Sequence, residues 1–390
     1  MKPDIESPIG KVQDIAEKVD GGRCTDFLKK LISIPSVSGE EQKVAHWISE
    51  RLGEIGFQEV EVDEWDNVIA KREGNRRQIL MSVHLDTSHP HPDMGDPFDP
   101  IIKESEGEAR LYGLGAASSK GSTASMLEAL SVLTSSGEEM PSIIFTGVAR
   151  DLLPKSGYGI RAVFREHAID ADAAIVGEPT DLKIGIGSRG LAHVKVTFYS
   201  EPTHAGRPDN NANPIAGMSK FISKTLEGPL PKHPLLGAAS ISPIECRSEG
   251  ERPLTPWSAS MVFDRRLLPN DPPIEELIEY YKSLAMSASG PMSCEIEIIN
   301  HEYPWVVSED SPIVTSLANS LRAVTSIQPI QYPLPFSSTA GYMKEFGKIQ
   351  PVAFSGGDIT KIGKNENVNL GKVITAAKVI AGTIVLFGAT

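Results

Sequence analysis

The sequence predicts an α/β protein, a mainly parallel sheet flanked by helices, with a smaller α+β domain inserted into it. Three observations carry this reading. Short β-branched runs at 59–62, 67–71, 79–83, 143–148 and 173–176 are followed or separated by helical stretches such as 124–133, the alternation that builds a parallel sheet. From about Gly185 the texture changes to alternating strands at 193–199 and 258–266 around helical stretches at 213–226 and 274–286. Near Glu297 the first pattern returns, with helices at 311–324 and 370–387. The main domain is therefore read as 1–184 together with 297–390, and the insert as 185–296. A chain of 390 residues suits two cores, since single cores seldom grow past about 250–300 residues.

Taken in order, residues 27–34 are apolar at helical spacing and are stopped by Pro35-Ser36-Val37-Ser38-Gly39. Ser38 with Glu41 three residues later has the form of a capping box, which predicts a second helix running to about Leu52. Three polar loops follow predicted strands: His84-Leu85-Asp86, Arg150-Asp151-Leu152-Leu153 and Glu178-Pro179-Thr180. Ligands of open α/β sheets bind beyond the carboxyl ends of strands, so these loops are the candidate site. At the far end, the apolar stretch 373–390 is interrupted by Lys378, Gly382 and Gly388. It falls short of the roughly 20 apolar residues of a membrane span and is expected to dock as a terminal helix.

Composition excludes several classes. Hydrophobic residues make up 40% and charged residues 23%, with 34 Gly and 29 Pro, a profile of loop-rich globular chains rather than disordered ones. The formal net charge is −13 with no basic block, so the attraction that drives binding to nucleic acid is missing. No membrane partner is expected either. Cys24, Cys246 and Cys294 lie far apart and form no CxxC pair, which fits a reducing compartment. Residues 1–22 are charged throughout and lack the apolar core of a signal peptide, so a cytoplasmic location is expected.

Landmarks along nearly the whole chain carry a family resemblance. They are Ile34-Pro35-Ser36-Val37-Ser38-Gly39-Glu40, His84-Leu85-Asp86, Asp96-Pro97-Phe98, Leu111-Tyr112-Gly113-Leu114-Gly115 and Lys120-Gly121. Then come Gly177-Glu178-Pro179-Thr180, Gly187-Ser188-Arg189-Gly190, His204-Ala205-Gly206, Asn213-Pro214-Ile215 and Asp264-Arg265-Arg266. In this order and spacing the chain resembles the di-zinc amidohydrolases that include acetylornithine deacetylase, succinyl-diaminopimelate desuccinylase, aminoacylase and carboxypeptidase G. The resemblance implies a zinc-peptidase-like fold with an inserted lid, or dimerisation, domain. It also implies two zinc ions sharing a bridging carboxylate, a glutamate base, and a lid histidine that completes the oxyanion site. Paired metals lower the pKa of a bridging water and polarise the scissile carbonyl, while the glutamate shuttles its proton.

Carried over by position, the resemblance makes His84 a metal ligand, Asp86 its orienting carboxylate and Glu178 a second ligand. His204 becomes the lid histidine, and Asn213, Arg265 and Thr339 substrate contacts. Other positions depart from the pattern. The bridging aspartate falls on Ser118, a neutral hydroxyl, and the family's Asp-Glu-Glu run falls on Asp151-Leu152-Leu153. The C-terminal histidine ligand falls near Ile362, no histidine follows His301, and the aspartate after Thr339 is replaced by Ala340. Catalytic zinc normally has three protein ligands and a water, so the expectation is no resident cofactor, or at most one zinc at a remnant site.

Each of these residues has a plainer reading. His84 with Asp86 is also what a histidine held by a carboxylate at a strand end looks like. In Ser88-His89-Pro90-His91-Pro92-Asp93, two histidines and an acid could recruit a replacement metal or could simply be solvated. Ser118-Ser119-Lys120 reads as a serine–lysine nucleophile or as a helix start. Arg265 and Arg266 suit carboxylate recognition or an inter-strand ion pair.

Two functional readings result. In the first, the chain has lost zinc hydrolysis and is a pseudoenzyme: a binding, regulatory or complex-forming homologue, dimeric through its lid, with a protein, a carboxylated small molecule or a peptide as partner. In the second, it is a divergent enzyme acting on a carboxylated amide, N-acyl amino acid or peptide with one metal or none. A third arrangement supplies the missing groups from a partner subunit.

Overall fold

The computed structural model describes residues 8–105, 107–152, 157–209 and 212–389. The chain divides into two compact units, the first comprising Met1–Ser188, Val306–Leu334 and Ser338–Thr390 and the second Arg189–Trp305 with Pro335–Ser337. These divisions fall later than 185 and 297 for a physical reason. The strand Ile184–Ser188 still pairs with the main sheet through Gln331–Leu334, and Ser293–Glu302 still pairs with Gly190–Tyr199 of the second unit.

The sheet of the first unit runs Glu59–Val62, Val68–Arg72, Pro141–Val148, Asn75–His84, Ala173–Val176, Gln350–Ala353, Ile184–Ser188, with Gln331–Leu334 beside the last. The four strands from Pro141–Val148 to Gln350–Ala353 are mutually parallel. Ala173–Val176 is buried along its whole length and Pro141–Val148 nearly so, as expected of parallel strands covered on both faces. The sheet is therefore mixed but parallel at its centre, and helices flank it, matching the predicted class.

The helix Ser119–Ser136 is buried almost all round. Its polar content is tolerated because Ser122, Thr123 and Ser125 turn their hydroxyls onto carbonyls four residues back. Against it and against Pro8–Glu17 and Pro312–Val324 packs Leu370–Ala389. At 20 residues this is the one helix among those described that is long and apolar enough to cross a membrane. Thirteen of its residues are buried within the first unit, so it docks as a terminal helix. The capping box does not form: the helix begins at Gln42, the Ser38 hydroxyl donates to Asp86, and Glu41 takes backbone N–H groups of Gly39 and Arg150.

The second unit is an antiparallel sheet in the order Ser240–Glu249, Ser258–Leu267, Gly190–Tyr199, Ser293–Glu302. Val194, Val196, Phe198, Met261 and Phe263 face the helices Pro214–Glu227 and Ile274–Ser289, where Phe221 packs edge-on against Phe198 and Phe263. The first and last strands of this sheet escaped sequence reading because their burial is slight and their sequences are largely polar.

Candidate functional site

Because four neighbouring strands are parallel, their carboxyl ends lie along one edge. The loops beyond them follow in the order Arg150–Leu152, His84–Asp86, Glu178–Thr180 and Asp358–Ile362. The last of these is pressed against its neighbours: Thr180 bridges to Asp358, and a Cβ on Gly357 would lie 2.2 Å from the Ala117 carbonyl oxygen. Only glycine permits that approach.

His84 closes its strand with Nδ1 lying 3.0 Å from the Asp86 carbonyl oxygen and 3.1 Å from Asp86 Oδ1. Both are acceptors, so Nδ1 carries a proton, and Nε2 is the ring nitrogen not engaged by Asp86. Burial works against a charged imidazole, but the hydrogen bond and charge of Asp86, with the charges of Asp151 and Glu178, outweigh it and push the pKa up to about 9. Asp86 is fully buried and also accepts from Ser38 Oγ at 2.6 Å and from the Leu152 N–H at 2.7 Å. Burial would raise its carboxyl, yet His84 and these donors hold it below the usual carboxylate range.

Glu41, also fully buried, accepts from Gly39 and Arg150 N–H at 2.9 Å each. Burial, with the Asp86 charge adding to it, raises its carboxyl. Two carboxylates thus pin the loop after Pro141–Val148 through alternate N–H groups, and Arg150 adopts a left-handed φ of 56° there. Glu178 is 7% exposed, and its carbonyl accepts from Ser355 Oγ at 2.6 Å.

On the other side, Glu366 accepts from the Ala117 N–H at 3.0 Å, so its carboxylate holds the turn that leads into Ser119–Ser136. Lys120 donates to the Ile34 carbonyl at 2.8 Å, and burial pushes its pKa down to about 7. That bond to main chain favours the structural use of Lys120 over the serine–lysine nucleophile.

The departed positions have another character. Leu152 is 49% exposed and Ile362 40%, so these side chains face solvent and do not fill a closed cavity. Leu153 lies outside the described residues. In the histidine loop, His91 Nδ1 accepts from the Asp93 N–H within the turn, and Asp93 pairs with the distant Lys364.

Of the sequence-predicted residues, the structure brings His84, Asp86 and Glu178 together. Thr339 is in the same unit, 4% exposed at the start of Ala340–Phe346. His204, Asn213 and Arg265 belong to the second unit. His204 is exposed and its Nδ1 accepts from the Gly206 N–H; Asn213 caps Pro214–Glu227 by accepting from Ile215 N–H. Arg265 corrects its expectation: it is 2% exposed and donates to Asp271 and to the Arg266 carbonyl, which makes it a structural ion pair rather than a ligand contact. Sequence reasoning missed Glu41 and Glu366 as supports and Asp151 as a charge facing His84. The adjacency of Ser38, Glu41 and the strand-end loops is a tertiary fact that no local pattern announces.

A di-zinc centre does not fit this donor set. Among the described residues no three His, Cys, Asp or Glu side chains gather in a group able to hold a metal ion. His84 and Glu178 are two donors where a catalytic zinc normally has three.

The profile described as peptidase family M20/M25/M40 matches residues 80–385. The chain is 24% identical over 333 residues to the YgeY protein of Escherichia coli K12, covering 80% of this chain and 81% of that one. It is 26% identical over 200 residues to the succinyl-diaminopimelate desuccinylase of Corynebacterium glutamicum, covering 50% and 52%. Among solved structures, the M20 family metallo-carboxypeptidase Sso-CP2 of Sulfolobus solfataricus aligns with a TM-score of 0.75 at 18% identity, over 94% of this chain and 99% of the other. The dipeptidase Dug1p of Saccharomyces cerevisiae aligns with a TM-score of 0.70 at 14% identity over 100% of both. These structural likenesses establish the fold.

Proposed function

The chain belongs to peptidase family M20/M25/M40, and we propose that within it this protein binds an amide- or carboxylate-bearing ligand, or a partner, without hydrolysing it through two zinc ions. One observation carries the reading: the strand-end face offers His84 and Glu178 as donors, while the neighbouring positions expected to hold metal or move a proton are Ser118, Leu152 and Ile362. A hydroxyl and two exposed alkyl groups supply neither a bridging anion nor a base. Loss of a general base alone typically forfeits a factor of about 10²–10⁴ in rate.

The test is amine release from N-acyl amino acids and dipeptides by pure protein in excess zinc. The proposal predicts no turnover above the protein-free control, and zinc-dependent turnover removes it. A second reading has one supporting observation, the Asp151 charge that reaches His84. In that reading a histidine–carboxylate pair acts on a carboxylated amide or peptide with one metal or none. His84→Ala would then abolish turnover while leaving the circular dichroism spectrum unchanged.

We also propose a homodimer through the second unit. The strand Ser240–Glu249 ends its sheet with ten residues, and Glu245 and Arg247 on one face give a self-pairing strand opposite charges to match. Light scattering at the monomer mass would exclude this assembly.

A further inference from the structure

The opposite end of that sheet is different in kind. Ser293–Glu302 is its last strand, so one of its sides has no partner within the sheet. Along it runs a groove of about 430 Å³ bounded by Lys282 and Met286 of the helix Ile274–Ser289, by Cys294, Glu295, Ile296 and Glu297 of the strand, and by Lys195, Thr197 and Tyr199 of the neighbouring strand Gly190–Tyr199. The strand alternates strictly here. Cys294, Ile296 and Ile298 turn toward the helices, whereas Glu295 and Glu297 stand on the open face. On their inner side the glutamates have company: Glu297 is in register with Lys195, and Glu295 accepts from Tyr199 at 3.1 Å. Met286, at 70% exposure, overhangs the other side of the groove.

We propose that this edge docks an extended segment of a partner protein in which basic and apolar residues alternate. A strand added beside Ser293–Glu302 would receive backbone hydrogen bonds and point successive side chains to opposite faces. One set would lie under the helix against Ile296 and Met286, and the other beside Glu295 and Glu297, where cations are favoured. A second copy of this chain is disfavoured as the occupant. Antiparallel self-pairing about this stretch sets the glutamates of one copy against those of the other, and like charges across strands repel. Acidic edge residues discourage indiscriminate pairing for the same reason, which leaves a basic strand as the complementary one. The net charge of −13 favours its approach.

The test uses the full chain and a fluorescein-labelled Lys-Val-Lys-Val-Lys-Val peptide, with Lys-Lys-Lys-Val-Val-Val as a control of equal composition. In anisotropy titrations at physiological salt, the alternating peptide should bind about tenfold more tightly than the block peptide. Glu295→Lys with Glu297→Lys should weaken it by about tenfold or more, whereas Glu17→Lys with Glu104→Lys, an equal change in net charge at exposed positions, should not. Hydrogen exchange on the unaltered chain should slow at 293–299 when the alternating peptide is present. Equal binding of the two peptides, equal weakening by the two double variants, or protection elsewhere would overturn the proposal.

Discussion

The strand-end face of the first unit has an inner layer and an outer one, and they differ in how much of their chemistry is spoken for. In the inner layer the carboxylates are engaged with the protein itself. Asp86 accepts from Ser38, His84 and Leu152, Glu41 from Gly39 and Arg150, and Glu366 from Ala117. In the outer layer stand Leu152 and Ile362, both more than a third exposed, with Ser118 between buried turn and solvent. The difference teaches that protein hydrogen bonds hold the loops of this face, with Asp86, Glu41 and Glu366 each accepting main-chain N–H groups. Contacts of this kind hold the face whatever side chains stand at Ser118, Leu152 and Ile362.

If that comparison is sound, damage to the inner layer should far exceed damage to the outer. Asp86→Ala strips three donors of their acceptor and leaves a buried imidazole without its counter-charge, and should cost about 3–5 kcal/mol in urea unfolding. A loss below about 1 kcal/mol would break the comparison.

The pH dependence of stability comes next in size. His84 is raised in the folded state from about 6.5 to about 9, so its contribution is fully present below pH 6.5 and is lost as pH rises through 9. Over that window unfolding should become easier by on the order of 3 kcal/mol, and Asp86→Asn should flatten the slope. A flat profile in the unaltered chain would mean that the imidazole is not held charged.

Asn213→Ala sharpens the contrast from the second unit. Its side chain caps a helix, so its removal should cost about 1 kcal/mol, read as a lower urea midpoint. Smallest of all, Leu152→Ala should change stability by less than about 0.5 kcal/mol, since half of that side chain already faces water. A loss of about 2 kcal/mol or more would instead show that it packs like a core leucine.

Much of this was legible in the sequence for identifiable reasons. The parallel strands announced themselves because burial on both faces demands continuous β-branched runs, and Ala173–Val176 coincides with its predicted bounds. The strand Ser240–Glu249 gave no such signal because eight of its ten residues are exposed. At the site, His84, Asp86 and Glu178 were readable from their loops. The roles of Ser38 and Glu41 were not, since the same Ser-x-x-Glu pattern ordinarily caps a helix and only the fold brings Asp86 and Arg150 within its reach. Arg265 was misread because strand alternation does not say whether a charged residue faces solvent or is buried beside Asp271.

The most direct test of the central claim is metal stoichiometry. Protein purified without chelator, dialysed against excess zinc and desalted should carry less than one zinc per chain by plasma mass spectrometry, because two donors at one edge do not make a tight site. Two retained zinc ions per chain would contradict the account and return the protein to the hydrolytic members of its family.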